Sequence, residues 1–319
     1  MNASYAKTWL GDDAQDRMIA VTARHNEAIE FGIAPDNCLK MPPTIGGRYS
    51  LCSAAGLPLA VDLGMDVFEQ LLSGAYQMDQ HFQTAELRNN MPVILALLSV
   101  WYNNYYKAAS HAVLCYDKRL ELFPDYLRQV EMESNGKRVG RSGQEINCDT
   151  APVIWGGNAL DGQHAYYQLL HQGTRLIPID FIVTAETADI ENKTRSDTWP
   201  QANCFTQSYA LMQGKQDELP ECVQPGDRPS NTIMLRKLTP QTLGSLIALY
   251  EHKVFCEGVI WGINSFDQWG VEQSKQLADK IFDYLQDNRG EDKDDVISPL
   301  DSSTRGLIDK YLAWRKPSD

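Results

Sequence analysis

Short apolar runs alternate with segments of helical periodicity through the middle of the chain. Apolar residues recur at the spacing of one helix face over residues 64–82, and residues 92–106 form an apolar stretch typical of a buried helix. Helical patterns also cover residues 120–132 and 243–250, the second introduced by a capping threonine and a proline. Apolar runs of strand length lie at residues 112–116, 152–155, 177–183 and 259–263. This alternation predicts an α/β sandwich, a sheet covered by helices.

The two ends of the chain add smaller elements. Residues 1–45 predict a helix, a short strand at 18–22 and a second helix near 26–31, which together look like the end of an α/β unit. The later segments predict a polar surface loop or short helical hairpin at 213–228, a charged solvated stretch at 287–295 and a last amphipathic helix at 302–315. We expect a helical extension at the carboxyl terminus.

Composition narrows the class of protein. The 319 residues are 43% hydrophobic and 22% charged, which is ordinary for a folded protein of one large or two smaller domains. The net charge of -13 argues against nucleic acid or an anionic membrane as a partner, because such binding draws on clustered Lys and Arg. Seven scattered cysteines without paired spacing favour free thiols in a reducing compartment. With no signal peptide or apolar span in view, we expect a cytoplasmic protein.

A carboxylate stands where a helix should end. Glu133 follows apolar helix positions and precedes Ser134-Asn135-Gly136, so its side chain should face a cleft at the end of an element. One base in that position could move a proton between neighbouring carbon atoms of a sugar. The alternative interpretation is a solvated surface glutamate.

An imidazole and an ammonium have comparable positions. His164 lies just before a helix that contains His171, and an imidazole titrates in the range needed to protonate a sugar ring oxygen. His171 is the competing histidine, and its place further into the helix favours a buried or structural role. Lys275 lies near the start of another helix, where a solvated lysine is the alternative interpretation. The motifs of zinc proteases, nucleotide hydrolases and dinucleotide-binding proteins are missing from the sequence.

Four segments resemble those of the phosphoglucose isomerase family, in the same order and at similar spacing. They are residues 45–51 (IGGRYSL), 132–137 (MESNGK), 162–173 (GQHAYYQLLHQG) and 266–275 (FDQWGVEQSK). The resemblance runs over nearly the whole chain. It implies an aldose-ketose isomerase that interconverts glucose 6-phosphate and fructose 6-phosphate through an enediol, without cofactor or metal. It also implies a three-layer α/β sandwich of the sugar isomerase (SIS) type.

The resemblance assigns roles to individual residues. Glu133 would be the base, His164 and Lys275 would act in opening the sugar ring, and Arg48 would stabilise the negative charge of the enediolate. The histidine in this position comes from the neighbouring subunit in the family, which implies a homodimer. Two further residues would contact the substrate: Gln129, one helical turn before the base, and Gly47.

Family members are usually longer chains with two SIS domains. By this comparison residues 1–45 would be a remnant of the first SIS domain, residues 46–275 the second, and residues 276–319 a helical tail. In the family a Ser/Thr-rich loop of the first domain holds the substrate phosphate. We expect this loop to be missing from the present sequence, which contains no other Ser/Thr/Gly-rich segment able to replace it. The alternative hypothesis is therefore a non-catalytic module that binds a sugar phosphate or mediates dimerisation.

Overall fold

A computed structural model of the protein describes residues 2–186, 195–286 and 299–315. The chain divides into two compact units, Met1–Phe266 and Asp267–Asp319. The first unit is built on parallel β-sheets covered by helices, which confirms the predicted α/β class. The predicted division at residues 45 and 275 into SIS domains and a tail stays a prediction.

The elements of the first unit alternate along the chain. Its helices are α1 (Asn2–Leu10), α2 (Ala14–Arg17), α3 (His25–Phe31), α4 (Leu57–Leu63), α5 (Met65–Thr84), α6 (Met91–Val100), α7 (Phe123–Arg128), α8 (Ala159–Gly162), α9 (Tyr167–Gln172), α10 (Arg195–Gln213) and α11 (Pro240–Trp261). Its strands are β1 (Ala20–Thr22), β2 (Cys38–Lys40), β3 (Ser110–Cys115), β4 (Val153–Asn158), β5 (Ile179–Glu186) and β6 (Ser230–Lys237). π-Helical segments, Trp101–Tyr105 and Gln129–Glu133, directly extend α6 and α7. The second unit contains α12 (Trp269–Gln286) and α13 (Ser302–Arg315).

The main sheet has four parallel strands in the order β4-β3-β5-β6. Successive residues of β3 point to opposite faces: Val113 and Cys115 pack against α5, α6, α7 and α11, whereas Leu114 packs against α9 and α10. Residues of β5 divide in the same way, with Ile182 on the first face and Phe181 on the second. Helices therefore cover both faces, which confirms the three-layer sandwich.

Most predicted elements are present with shifted ends. The helix predicted over residues 64–82 is α5, the first three predicted strands are β3, β4 and β5, and residues 302–315 form α13. The polar segment 213–228 is a loop with one short turn at Pro220–Cys222. The charged stretch 287–295 lies outside the described residues.

The fourth predicted strand, residues 259–263, is wrong. These residues form the last turn of α11 and its end, where Gly262 adopts a left-handed conformation with φ of 67°. Their β-branched content resembles a strand, but α11 begins at a capping box on Thr239 and continues without interruption. The actual fourth strand is β6, whose residues alternate between partly buried and exposed positions instead of forming a continuous apolar run.

Within the described ranges, no helix combines the length and the apolar character needed to cross a bilayer.

A partly buried carboxyl on α11 should make the stability of the first unit depend on pH. The hydroxyl of Tyr126 donates to Oε1 of Glu251 at 3.0 Å. Burial and the nearby negative charge of Asp79 raise the pKa of Glu251 to about 7, against the opposing effect of the Tyr126 hydrogen bond. The folded protein therefore keeps this proton at pH values where the unfolded chain has lost it.

We expect the free energy of unfolding to fall as the pH rises from about 4.5 through 7, since the folded state binds more protons over that range. Between pH 5 and pH 8, the free energy of unfolding should fall by roughly 1–3 kcal/mol less in Glu251→Gln than in wild type. Urea unfolding at the two pH values measures it, with the exposed Glu86→Gln as the control variant. Equal pH dependence in wild type and Glu251→Gln would contradict this assignment.

Candidate active site

Glu133 and Arg48 form an ion pair at the surface of the first unit. Arg48 Nη1 lies 3.3 Å from Glu133 Oε2, and the two side chains are 2% and 26% exposed. Gln129 Nε2 donates to the same oxygen at 3.3 Å, as the spacing of four residues predicts. The other carboxylate oxygen, Oε1, accepts no hydrogen bond from the part of the chain that the structure describes. Oε2 is thus held in place, while Oε1 is left open to accept a proton.

The backbone after α7 explains how Glu133 reaches this position. The π-helical segment Gln129–Glu133 widens the last turn, and such segments are frequent at functional sites. The ammonium of Lys137 then donates to the main-chain oxygens of Glu133 and Ser134, both at 2.7 Å. A positive charge at these terminal carbonyls complements the helix dipole. The helix therefore ends two residues after the carboxylate, at Asn135.

Arg48 is held by residues from two distant parts of the chain. It lies in the short helical turn Gly47–Tyr49. Its Nε donates to Ser134 Oγ at 2.7 Å, and its Nη2 donates to the main-chain oxygen of Ser265 at 2.6 Å. These bonds fix the plane of the guanidinium, so its Nη1 group has a defined position beside Glu133.

Glycine keeps the backbone open beside Arg48. A Cβ atom added to Gly46 or Gly47 would meet no atom within 4 Å, so packing does not require glycine at either position. The absence of side chains leaves room for a ligand to approach the main chain. The hydroxyl of Tyr49 lies 2.9 Å from Ser134 Oγ. Burial raises the pKa of Tyr49, opposed by that hydrogen bond and by the charge of Arg48.

The remaining predicted residues lie elsewhere. His164 is exposed in the turn between α8 and α9, beyond the carboxyl end of β4. Because β3 and β4 are parallel, α7 and its π-helical extension run back towards the amino end of β4, and Lys137 is hydrogen-bonded to Thr150, just before that strand. Within one chain, Glu133 therefore lies towards the amino ends of the parallel strands and His164 towards their carboxyl ends. Lys275 is exposed on α12 in the second unit.

His171 has a partner in the scaffold. Its Nε2 lies 2.7 Å from Gln207 Oε1, which links α9 to α10. This contact agrees with the structural role expected for His171.

Ser134, Asn135 and Ser265 are buried polar residues of this site that sequence reasoning did not single out. In the sequence, Ser134 and Asn135 have only the character of turn residues after Glu133. All three lie inside or beside the two motifs that carry Glu133 and Lys275, so the signal was their position within those segments. In the described residues, no group of three His, Cys, Asp or Glu side chains is arranged to hold a metal ion.

The family model for phosphoglucose isomerase matches residues 1–308. The chain belongs to this family. Glucose-6-phosphate isomerases of Stutzerimonas stutzeri and Shewanella halifaxensis are 47% and 46% identical to it, over 97% of this chain and 59% and 60% of their own lengths. The chain therefore spans about three-fifths of the curated relatives that it matches.

Solved structures agree with the phosphoglucose isomerase fold. A crystal structure of a glucose-6-phosphate isomerase from Chlamydia trachomatis superposes with a TM-score of 0.81 at 32% identity, over 97% of this chain and 58% of that one. A hypothetical protein from Thermus thermophilus superposes with a TM-score of 0.68 at 23% identity, over 88% of this chain and 66% of that one. The second similarity concerns the fold alone. Family membership confirms the resemblance inferred from the four motifs.

Proposed function

We propose that this chain carries the proton-transfer centre of an aldose-ketose isomerase that interconverts glucose 6-phosphate and fructose 6-phosphate. The observation that supports this most directly is the Glu133 carboxylate, with one oxygen held by Arg48 and Gln129 and the other open. The names of the similar relatives supply the substrate class. The reaction belongs to glycolysis and gluconeogenesis, for which a cytoplasmic location is expected.

The chemistry needs a single base. Glu133 removes the proton from carbon 2 of the open-chain aldose, the C–H electron pair forms a double bond between carbons 1 and 2, and the carbonyl oxygen becomes an enediolate oxygen. A proton then passes from the hydroxyl on carbon 2 to the oxygen on carbon 1, which moves the enediolate charge to the carbon 2 oxygen. That oxygen becomes the ketose carbonyl as the electron pair of the double bond takes the proton back from Glu133 at carbon 1. Nothing is oxidised or reduced overall. Arg48 stabilises the transient negative charge, because a preoriented guanidinium favours charge that develops in the transition state.

Ring opening needs a second set of groups. A proton must reach the ring oxygen while the hydroxyl at carbon 1 loses one, and a histidine is suited to both transfers near neutral pH. His164 lies towards the carboxyl ends of the strands and Glu133 towards their amino ends. A site that uses both residues therefore takes His164 from a second copy of the chain. Lys275 is proposed to act beside the ring oxygen because it lies in the family motif at residues 266–275. The working form is then a homodimer.

The function is tested by turnover. The purified chain should convert fructose 6-phosphate to glucose 6-phosphate in an assay coupled to a dehydrogenase. A folded chain that binds the sugar phosphate without converting it would instead support the non-catalytic module.

The shared site is tested by mixing two inactive variants. Glu133→Gln and His164→Gln should each be nearly inactive, whereas an equal mixture that exchanges subunits should recover about a quarter of wild-type activity. Half of randomly formed dimers are hybrids, and each hybrid holds one intact site. His171→Gln serves as the control and should stay active alone. A mixture that remains as inactive as its components, despite exchange shown by mass spectrometry, would contradict the shared site.

A further inference from the structure

Asn135 is fully buried two residues after Glu133, and its whole amide group is used. Nδ2 donates to the main-chain oxygen of Val254 at 3.0 Å and to Glu257 Oε2 at 3.1 Å. Oδ1 accepts from Ser265 Oγ at 2.7 Å. Both donors and the acceptor therefore point to fixed partners, which leaves the amide a single orientation.

These contacts connect Asn135 to both residues that orient Arg48. The guanidinium donates to Ser134 Oγ and to the main-chain oxygen of Ser265. Ser134 precedes Asn135 in the chain, and the hydroxyl of Ser265 is bound to the Asn135 amide. Two of the groups that direct the guanidinium are thus set by the position of one buried amide.

The partner of this amide on α11 is itself immobilised. Lys253 Nζ lies 2.7 Å from Glu257 Oε1 and 2.7 Å from Glu131 Oε2, and the three side chains are at most 3% exposed. Burial and the Glu257 carboxylate raise the pKa of Glu131. Against the effect of burial, Lys253 holds the pKa of Glu257 below its usual range. Asn135 therefore donates to an ionised carboxylate, which makes a stronger hydrogen bond than a neutral group would.

The backbone of α11 leaves space for this arrangement. A Cβ atom at Gly258 would lie 1.9 Å from Ser265 Oγ and 3.4 Å from Asn135 Oδ1. Any larger residue would displace the serine hydroxyl from the amide. Glycine at this position is thus required by the close approach of residue 265 to the helix.

We propose that Asn135 is a positioning residue: through Ser134 and Ser265 it fixes the Arg48 guanidinium against the Glu133 carboxylate. The catalytic consequence rests on the proposed isomerase function, whereas the orientation of Arg48 can be observed without turnover. A network that only stabilised the fold would not act selectively on Arg48.

The orientation of Arg48 is read from its Nε–H group. In the full chain labelled with ¹⁵N-arginine, the resonance is assigned by its loss in Arg48→Lys, and its hydrogen exchange is measured. Asn135→Ala removes the whole amide, and Ser265→Ala removes one hydroxyl while keeping the main-chain oxygen that Arg48 uses. Exchange should accelerate about tenfold or more in each variant, the effect of losing roughly one hydrogen bond.

Tyr116→Phe is the matched control. It removes a buried hydroxyl that contacts Tyr167 and Asn203 on the other face of the sheet, and should change Arg48 exchange less than about twofold at similar loss of stability. If Asn135→Ala does not fold, Ser265→Ala decides the question.

Turnover separates this proposal from the proposed function. In an active chain, kcat should fall about tenfold in Ser265→Ala, in step with the faster Arg48 exchange, and stay near wild type in Tyr116→Phe. Faster exchange in a chain that is inactive as wild type would support the positioning role and count against the isomerase. Exchange that is unchanged, or that accelerates equally in Tyr116→Phe, would overturn the positioning role whether or not the chain is active.

Discussion

Glu133→Gln should lower kcat for isomerisation by about 10²–10⁴-fold, because the amide has no lone pair basic enough to remove a proton from carbon. The substitution keeps the size of the side chain, and its carbonyl oxygen can still accept from Arg48 Nη1 or Gln129 Nε2. Because the Arg48 guanidinium is buried and loses its charged partner, the free energy of unfolding should fall by about 1–3 kcal/mol. Steady-state kinetics and urea unfolding measure the two effects.

A shorter carboxylate separates charge from geometry at this position. Glu133→Asp keeps the base but withdraws it by about one bond length, and a displacement of that size can cost about 100-fold in rate. Glu145→Gln is the matched control, since Glu145 is exposed and paired with Arg138 outside the site. An unchanged kcat in Glu133→Gln would show that another group removes the proton.

Arg48→Lys should lower kcat by about 10²–10³-fold although it preserves the charge. A guanidinium reaches Glu133 Oε2, Ser134 Oγ and the Ser265 carbonyl at once, whereas an ammonium has no planar fork to match these three directions. The loss should appear in kcat more than in KM, because the charge that Arg48 is proposed to stabilise develops in the transition state.

Stability should also decrease in Arg48→Lys, by about 1–3 kcal/mol, since buried acceptors lose their donors. Arg24→Lys provides the control: Arg24 pairs with Glu27 at an exposed site, and both activity and stability should stay near wild type. A variant that lost stability but kept kcat would limit Arg48 to a structural role.

The sheet was predictable where its strands are continuous apolar runs. β3 and β5 are buried on both faces, and their sequences show it. The edge strand β6 was missed because its residues alternate, and residues 259–263 were misread because β-branched residues also occur in helices that tertiary packing stabilises. Whether such a segment forms a strand or a helix depends on its contacts with distant residues.

Some features of the candidate site were also predictable from the sequence, and others were not. The proximity of Gln129 to Glu133 follows from helix geometry and was predictable. The ion pair of Glu133 with Arg48 joins residues far apart in the chain, and residue spacing cannot reveal it. Ser134 and Asn135 have the composition of a turn, and only the structure distinguishes a polar side chain that bonds its own backbone from one that bonds a distant helix.

The most direct test of a proton-transfer centre at Glu133 is the transfer of solvent deuterium to sugar carbon, followed by proton NMR. Fructose 6-phosphate incubated with the purified chain in D₂O should exchange a hydrogen at carbon 1, and the glucose 6-phosphate formed should carry deuterium at carbon 2. Both signals should disappear in Glu133→Gln and persist in Glu145→Gln. Exchange that survives in Glu133→Gln, or that is absent from the folded wild-type chain, would contradict a proton-transfer centre at Glu133.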